Sequence, residues 1–111
     1  MNREEEATMN QPAFFANWRE RVVYGAAGPQ PQVLHEDERI KVVVVGLEAG
    51  AHIPIHAGGA GVYHFLEGAG QMRVAANRYA VAAGSTVIVP AGAERGMVAD
   101  ERLAFIAVRL I

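Results

Sequence analysis

The run Gly50–Gly68, GAHIPIHAGGAGVYHFLEG, holds three of the chain's four histidines and closes on Phe65-Leu66-Glu67-Gly68. His52 and His56 are spaced i, i+4, which on a helix would give them one face, but Pro54 lies between them and glycines stand at 50, 58, 59 and 61. Proline removes a backbone donor and clashes inside a helix, and the glycines weaken it further, so the run reads as strand, loop, strand. Alternate residues of a strand share a side, so this reading predicts that His52, Pro54 and His56 face one way.

Outward from this run, short apolar segments alternate with turn residues. Before it, Ile40 and Val42–Val45 form a β-branched run within 39–48 and predict a strand covered on both faces. After it, 62–67 and 71–75 read as strands joined through Gly68-Ala69-Gly70. Ala76-Asn77-Arg78 turns into 79–82, and Ala83-Gly84-Ser85 turns into 86–89. Strands over 95–99 and 103–111 finish the chain. Toward the N-terminus, 33–36 is an edge strand, 25–31 a loop and 21–24 a short strand. Pro12 with Phe14, Phe15, Trp18 and Val22 at helical spacing predicts a short helix over roughly 12–20. A helix that short needs a docking partner, either the flank of the fold or a second subunit. Met1–Asn10 is polar and aperiodic and reads as a mobile tail. The pattern is all-β, a sandwich or barrel with one short N-terminal helix.

The 111 residues suffice for one core. Ten basic and twelve acidic residues, with no basic stripe, give no footprint for nucleic acid. The absence of cysteine excludes disulfides and thiolate metal sites. No apolar stretch approaches the ~20 residues of a membrane span, and no signal-like segment opens the chain. The expectation is a cytoplasmic protein with neither a nucleic-acid nor a membrane partner.

The close of the histidine run at Gly68, a gap of fifteen residues, and then Gly84-Ser85-Thr86-Val87-Ile88-Val89-Pro90-Ala91-Gly92 resemble the paired motifs of the cupin superfamily. The resemblance covers about Val33 to Ile111. It implies a small jelly-roll β-barrel of RmlC-like type over 33–111, preceded over 11–32 by a helix and strand that pack on it. It also implies a homodimer and a ligand or metal pocket inside the barrel. Metal-binding cupins use a His-x-His pair and a glutamate in the first motif and a histidine in the second. Those positions fall here on Pro54, His56, Gly61 and Arg95, so only His56 matches. The resemblance is therefore to a cupin with degenerate metal motifs.

A rebuilt metal site would have to pair His52 with His56, which an extended strand holds ~13 Å apart at Cα. His64 has the opposite parity to the inward set Gly61, Tyr63 and Phe65 that the family alignment implies. His56 keeps a family ligand position, and it either contacts a ligand or is a core histidine satisfied by backbone. His52 lies near the expected mouth and is a ligand contact or merely exposed. Arg95, at an inward position, must meet a bound anion, a carbonyl cluster or a carboxylate such as Glu94, Asp100 or Glu101. Its guanidinium fork suits carboxylate or phosphate.

The expected ligand-binding residues are His56, Arg95, Tyr63 and His52, with Phe65, Met72 and Val89 as apolar lining. Glu67, beside Gly68, reads as a solvated turn residue. The favoured function is metal-free binding of a small, anionic molecule. Two alternatives stand: an oxygenase or isomerase using a divalent transition metal on His52 and His56, and an interaction module presenting the aromatic helix. Acid–base catalysis by His56 with Tyr63 stays open.

Overall fold

The computed structural model describes residues 11–111, so the tail expected over 1–10 lies outside the described residues. The β-branched run forms β2 (Ile40–Leu47), which pairs antiparallel with β1 (Gln30–Glu36) and β9 (Leu103–Leu110). The histidine run supplies β3 (His52–His56) and β4 (Gly61–Glu67). Then follow β5 (Ala69–Val74), β6 (Asn77–Ala82), β7 (Thr86–Val89) and β8 (Arg95–Ala99). One sheet has the order β1-β2-β9-β4-β7 and the other β3-β8-β5-β6. The two lie face to face as a jelly roll without closing into a continuous barrel.

Period-two alternation sets which side chains meet between the sheets. In β4, Gly61, Tyr63 and Phe65 are buried while Val62 and His64 are exposed, the parity expected from the family alignment. Phe65, Phe105, Leu47, Met72, Leu103 and Val89 are fully buried and form the centre of the core. Each such side chain contributes ~1.5–3 kcal/mol through the apolar surface it removes from water. Phe105 packs its ring against Phe65 and Tyr63 at centroid distances of 5.6 and 5.8 Å. β4 passes to β5 through Gly68 at φ 84. A Cβ there would collide with the Arg102 carbonyl, so only glycine permits so tight a link.

The N-terminal region differs most from expectation. No helix forms over 12–20 and no strand over 21–24; a single 3-10 turn spans Trp18–Glu20. The Asn17 side chain accepts from the Arg19 N–H at 3.0 Å and caps this turn, and the N–H groups of both Arg21 and Val22 bond to the Trp18 carbonyl and end it. The aromatic residues find no groove that would repay helix nucleation. Phe14 is 87% exposed, and arginines cover the other two rings, Arg21 over Phe15 at 4.9 Å and Arg19 over Trp18 at 4.5 Å.

The segment that follows does pack on the sheet, as backbone rather than as a strand. The Val23 carbonyl and the Tyr24 ring occupy the space where Gly46 has no side chain. This explains why β2 is covered on both faces at Val44 and Gly46. Tyr24 then donates to Glu67 at 2.8 Å, and Arg102 stacks on its ring at 4.5 Å. Glu67 is therefore the anchor of this segment instead of a free turn residue. β1 begins at Gln30, three residues before the expected start at Val33. The β5–β6 turn is Ala75-Ala76, so Asn77 already belongs to β6. Among the described residues no helix is long and apolar enough to cross a membrane.

Candidate functional site

A cavity of about 210 Å³ opens at one end of the space between the sheets. Its apolar wall comes from Val43 and Val45 of β2, Ile53 of β3, Met97 of β8, and Phe105 and Ala107 of β9. Its polar groups are His56, Tyr63, Arg95 and Arg109. A second hollow of about 250 Å³, formed around Gly58, Gly59 and Lys41, shares His56, Arg95 and Arg109 with the first. These three residues therefore stand where an apolar interior meets a polar mouth.

The register explains how His56 arrives there. Ile53 pairs with Met97 and His56 pairs with Arg95, so three steps on β3 match two on β8. The extra residue is a bulge at Pro54-Ile55, where proline lacks the N–H a regular ladder would need. A bulge reverses side-chain parity. Ile53 points into the core and His52 points outward, while past the bulge His56 points to the cavity. The expected common face of His52, Pro54 and His56 is thus overturned. His52 and Pro54 line a groove on the outer face of the smaller sheet, with Arg73 and Arg78, so His52 is not part of the cavity.

Arg95 is only 2% exposed. It takes no part in an ion pair among the described residues, with Glu94, Asp100 and Glu101 included. Its Nε and Nη2 both donate to the Ala93 carbonyl, at 3.0 and 2.8 Å, and Nη2 also donates to the Gly58 carbonyl at 3.2 Å. Nη1 approaches the Tyr63 hydroxyl at a long 3.5 Å. Of the three environments open to this arginine in the sequence, the carbonyl cluster is the one it occupies. It ties the β3–β4 loop to the entrance of β8, and the Gly92 N–H strengthens that tie by donating to the same Gly58 carbonyl at 2.8 Å.

His56 Nδ1 lies 3.0 Å from the Pro54 carbonyl. A carbonyl can only accept, so in this bond Nδ1 donates and the neutral ring keeps Nε2 as an acceptor. Tyr63 is buried and lines the cavity as expected. Phe65, Met72 and Val89, expected as lining, are core residues away from it. His64 is outside, sharing a 2.7 Å hydrogen bond with Thr86.

Sequence reasoning missed Arg109. It pairs across β9 with Lys41 on one side and Gly61 on the other. A Cβ built on Gly61 would lie 3.8 Å from Arg109 Cγ, so the family's glutamate position is the empty side of this arginine. Its Nε is buried without a hydrogen-bond partner, and among the described residues no carboxylate pairs with it. Alternation onward from Phe105 and Ala107 would have placed it inward, but only with the register of β9 in hand.

The donor set can now be weighed against a metal ion. At the family's ligand positions Pro54 points outward, Gly61 offers nothing, and Arg95 is a cation, so His56 alone could ligate. Among the described residues no group of three or more histidine, aspartate or glutamate side chains is close enough to hold an ion. Two guanidinium groups beside His56 make the site unfit for a transition-metal cation.

The two sheets, their strand order and the end cavity define a cupin-type jelly roll. This chain has that fold in its small, RmlC-like form, as the solved structures it resembles bear out. It superposes on an RmlC-like cupin from Shewanella frigidimarina with a TM-score of 0.76 at 20% identity, covering 90% of this chain and 92% of that one. An RmlC-like cupin from Desulfovibrio desulfuricans gives 0.78 at 21% identity, covering 87% and 95%. A conserved protein with a double-stranded β-helix domain from Klebsiella pneumoniae gives 0.79 at 20% identity, covering 89% and 90%. No protein-family model matches the sequence, and no curated protein does either.

Proposed function

We propose that this protein is a cupin-type binding module that holds a small anionic organic molecule in the cavity between its sheets without a metal ion. One observation carries the reading: the cavity combines an apolar wall with the guanidinium groups of Arg95 and Arg109, and among the described residues no carboxylate lines it. Cations placed near an apolar interior without carboxylates are costly unless something else supplies the counter-charge. A bound anion would supply it. At about 210 Å³ the cavity falls below the ~300 Å³ lower end of ordinary ligand pockets, so the molecule is small. The Tyr63 hydroxyl, which can donate, adds a directional contact.

The proposal takes the protein as cytoplasmic and as a homodimer. Support for the dimer comes from Phe14 on the N-terminal segment and from Val62 and the 74%-exposed Ile88 on the outer face of the larger sheet. The test of function is thermal unfolding of the full chain with a panel of small organic acids. A ligand at a hundred times its Kd stabilises by ~2.7 kcal/mol, and Arg95→Ala, which unties the Gly58 loop at the mouth, should reduce that gain. If no anion in the panel raises the melting temperature, the pocket reading falls.

A further inference from the structure

Resting on that reading, we infer that Arg109 is the residue that captures the anion, that Arg95 positions the loop beside it, and that the ligand is a small monocarboxylate with an apolar body. The two arginines differ in what already occupies them. Arginine has five N–H donors. Three contacts from Arg95 end on the Ala93 and Gly58 carbonyls, and a fourth leans on Tyr63. Its fork is turned to the protein's own backbone.

Arg109 has no such partners among the described residues, and its Nε–H is buried without an acceptor. Its neighbour across the sheet is Lys41, and like charges directly opposite on adjacent strands repel. Lys41 is itself held by Glu36 at 3.5 Å and Arg95 by backbone carbonyls, which leaves Arg109 as the cation of this mouth with neither a carboxylate nor a carbonyl partner among the described residues. The opposite neighbour, Gly61, has no side chain to supply one.

The chemistry of the ligand follows from the two hollows that meet at Arg109. The mouth brings Lys41 and Arg109 together beside the Gly58-Gly59 loop and suits a planar anion that can accept from a guanidinium fork. The interior beyond it is walled by Val43, Val45, Met97 and Phe105. Arg95, the cation that reaches this interior, already spends its fork on the Ala93 and Gly58 carbonyls, so a second charge there would be stripped of water without a free cation to meet it, which disfavours dicarboxylates. The volume of about 210 Å³ matches about seven water volumes at ~30 Å³ each. This admits a short aliphatic chain or one aromatic ring.

The test is calorimetric titration of the full chain with hexanoate and benzoate, against hexanamide and succinate as neutral and dianionic controls. Wild-type protein, Arg109→Gln and Arg109→Lys are compared, with melting temperatures taken without ligand. Expected are binding of both monocarboxylates, weaker binding of both controls, and a loss of about ten- to a hundred-fold in Arg109→Gln, the effect of one charge-assisted contact. Arg109→Lys should fall between, because it keeps the charge and loses the fork. The Arg109→Gln melting temperature should equal or exceed that of wild type, which separates lost contact from lost fold. If wild type binds monocarboxylates and Arg109→Gln binds them equally well, the anchor is wrongly assigned while the pocket reading survives. Tighter binding of succinate than of hexanoate would overturn the ligand class. Should the wild type bind none of the anions, the pocket reading itself fails and takes this inference with it.

Discussion

Replacing Arg109 by lysine should make the protein more stable in the absence of ligand. Lysine places a methylene where arginine has Nε, so the substitution removes the one buried side-chain donor found without a partner among the described residues and keeps a cation at the mouth. Burying an unsatisfied N–H costs ~1–3 kcal/mol. The two side chains carry similar rotamer entropy, ~2 kcal/mol each, so that contribution cancels. With ~2.1 cal/mol/K of unfolding entropy per residue, a chain of 111 residues shifts its melting point by ~4 °C per kcal/mol. The expected rise is therefore ~4–13 °C, measured by calorimetry without ligand and checked by urea unfolding with an unchanged m-value. A lysine variant no more stable than wild type would show that Nε is satisfied in solution. Arg109 would then hold no unmet buried donor ready for an external anion.

Three further outcomes follow from groups outside the cavity. Burial, followed by the hydrogen bond to Glu67, pushes the Tyr24 phenol up from 10.0 to about 12. The stabilisation it reflects is fully present below the unfolded value and is lost as pH rises through the folded one. Tyr24→Phe should therefore delete a phenolate signal with its midpoint at about 12 in ultraviolet titration and flatten the alkaline loss of stability between those values. The hydrogen bond from His35, with the Arg39 and Ile40 N–H groups, holds the Asp37 carboxyl at about 2, down from 3.8. Its contribution is present above the higher value and lost as pH falls through the lower one. Asp37→Asn should lower the melting point at neutral pH, and that deficit should vanish as pH approaches about 2. Phe14→Ala combined with Trp18→Ala should shift light scattering from dimer toward monomer; an unchanged mass would remove these residues from the interface.

Much of the fold was legible because its signals are local. The β-branched stretch in β2, the turn glycines and the Pro90-Ala91-Gly92 break each act within a few residues, and parity from the motif spacing correctly turned Tyr63 inward and His64 outward. The N-terminal helix was misread because amphipathic spacing reports only that one side could be buried. Whether a groove exists to bury it is a tertiary fact, and Phe14 has none in the described chain. The site suffered from the same limit. Pro54 signals a departure from regular strand but not its form. A bend would have brought His52 toward His56, whereas the bulge sends them to opposite faces. Arg109 was invisible for another reason: its meaning comes from Gly61 across the sheet, 48 positions earlier in the chain.

That pairing also gives the altered motif a physical logic. A glutamate at 61 would stand beside the Arg109 stem and close an ion pair across the mouth, leaving no free guanidinium and a narrower entrance. Its Cβ would meet Tyr63 Cε2 at 3.2 Å, closer than ordinary packing, so the ring that forms part of the cavity wall would have to shift. Glycine at 61, arginine at 95 and arginine at 109 are therefore mutually consistent. The first keeps a carboxylate away from the mouth, the second ties the Gly58 loop to the entrance of β8, and the third presents positive charge to that mouth. Gly61→Glu is the substitution that sets these parts against one another. It should abolish carboxylate binding while the new ion pair satisfies Arg109, so that loss of ligand affinity comes without a fall in stability larger than the ~1–3 kcal/mol expected of overpacking. Retained carboxylate binding in that variant would mean that the anion enters by a route other than the mouth at Arg109.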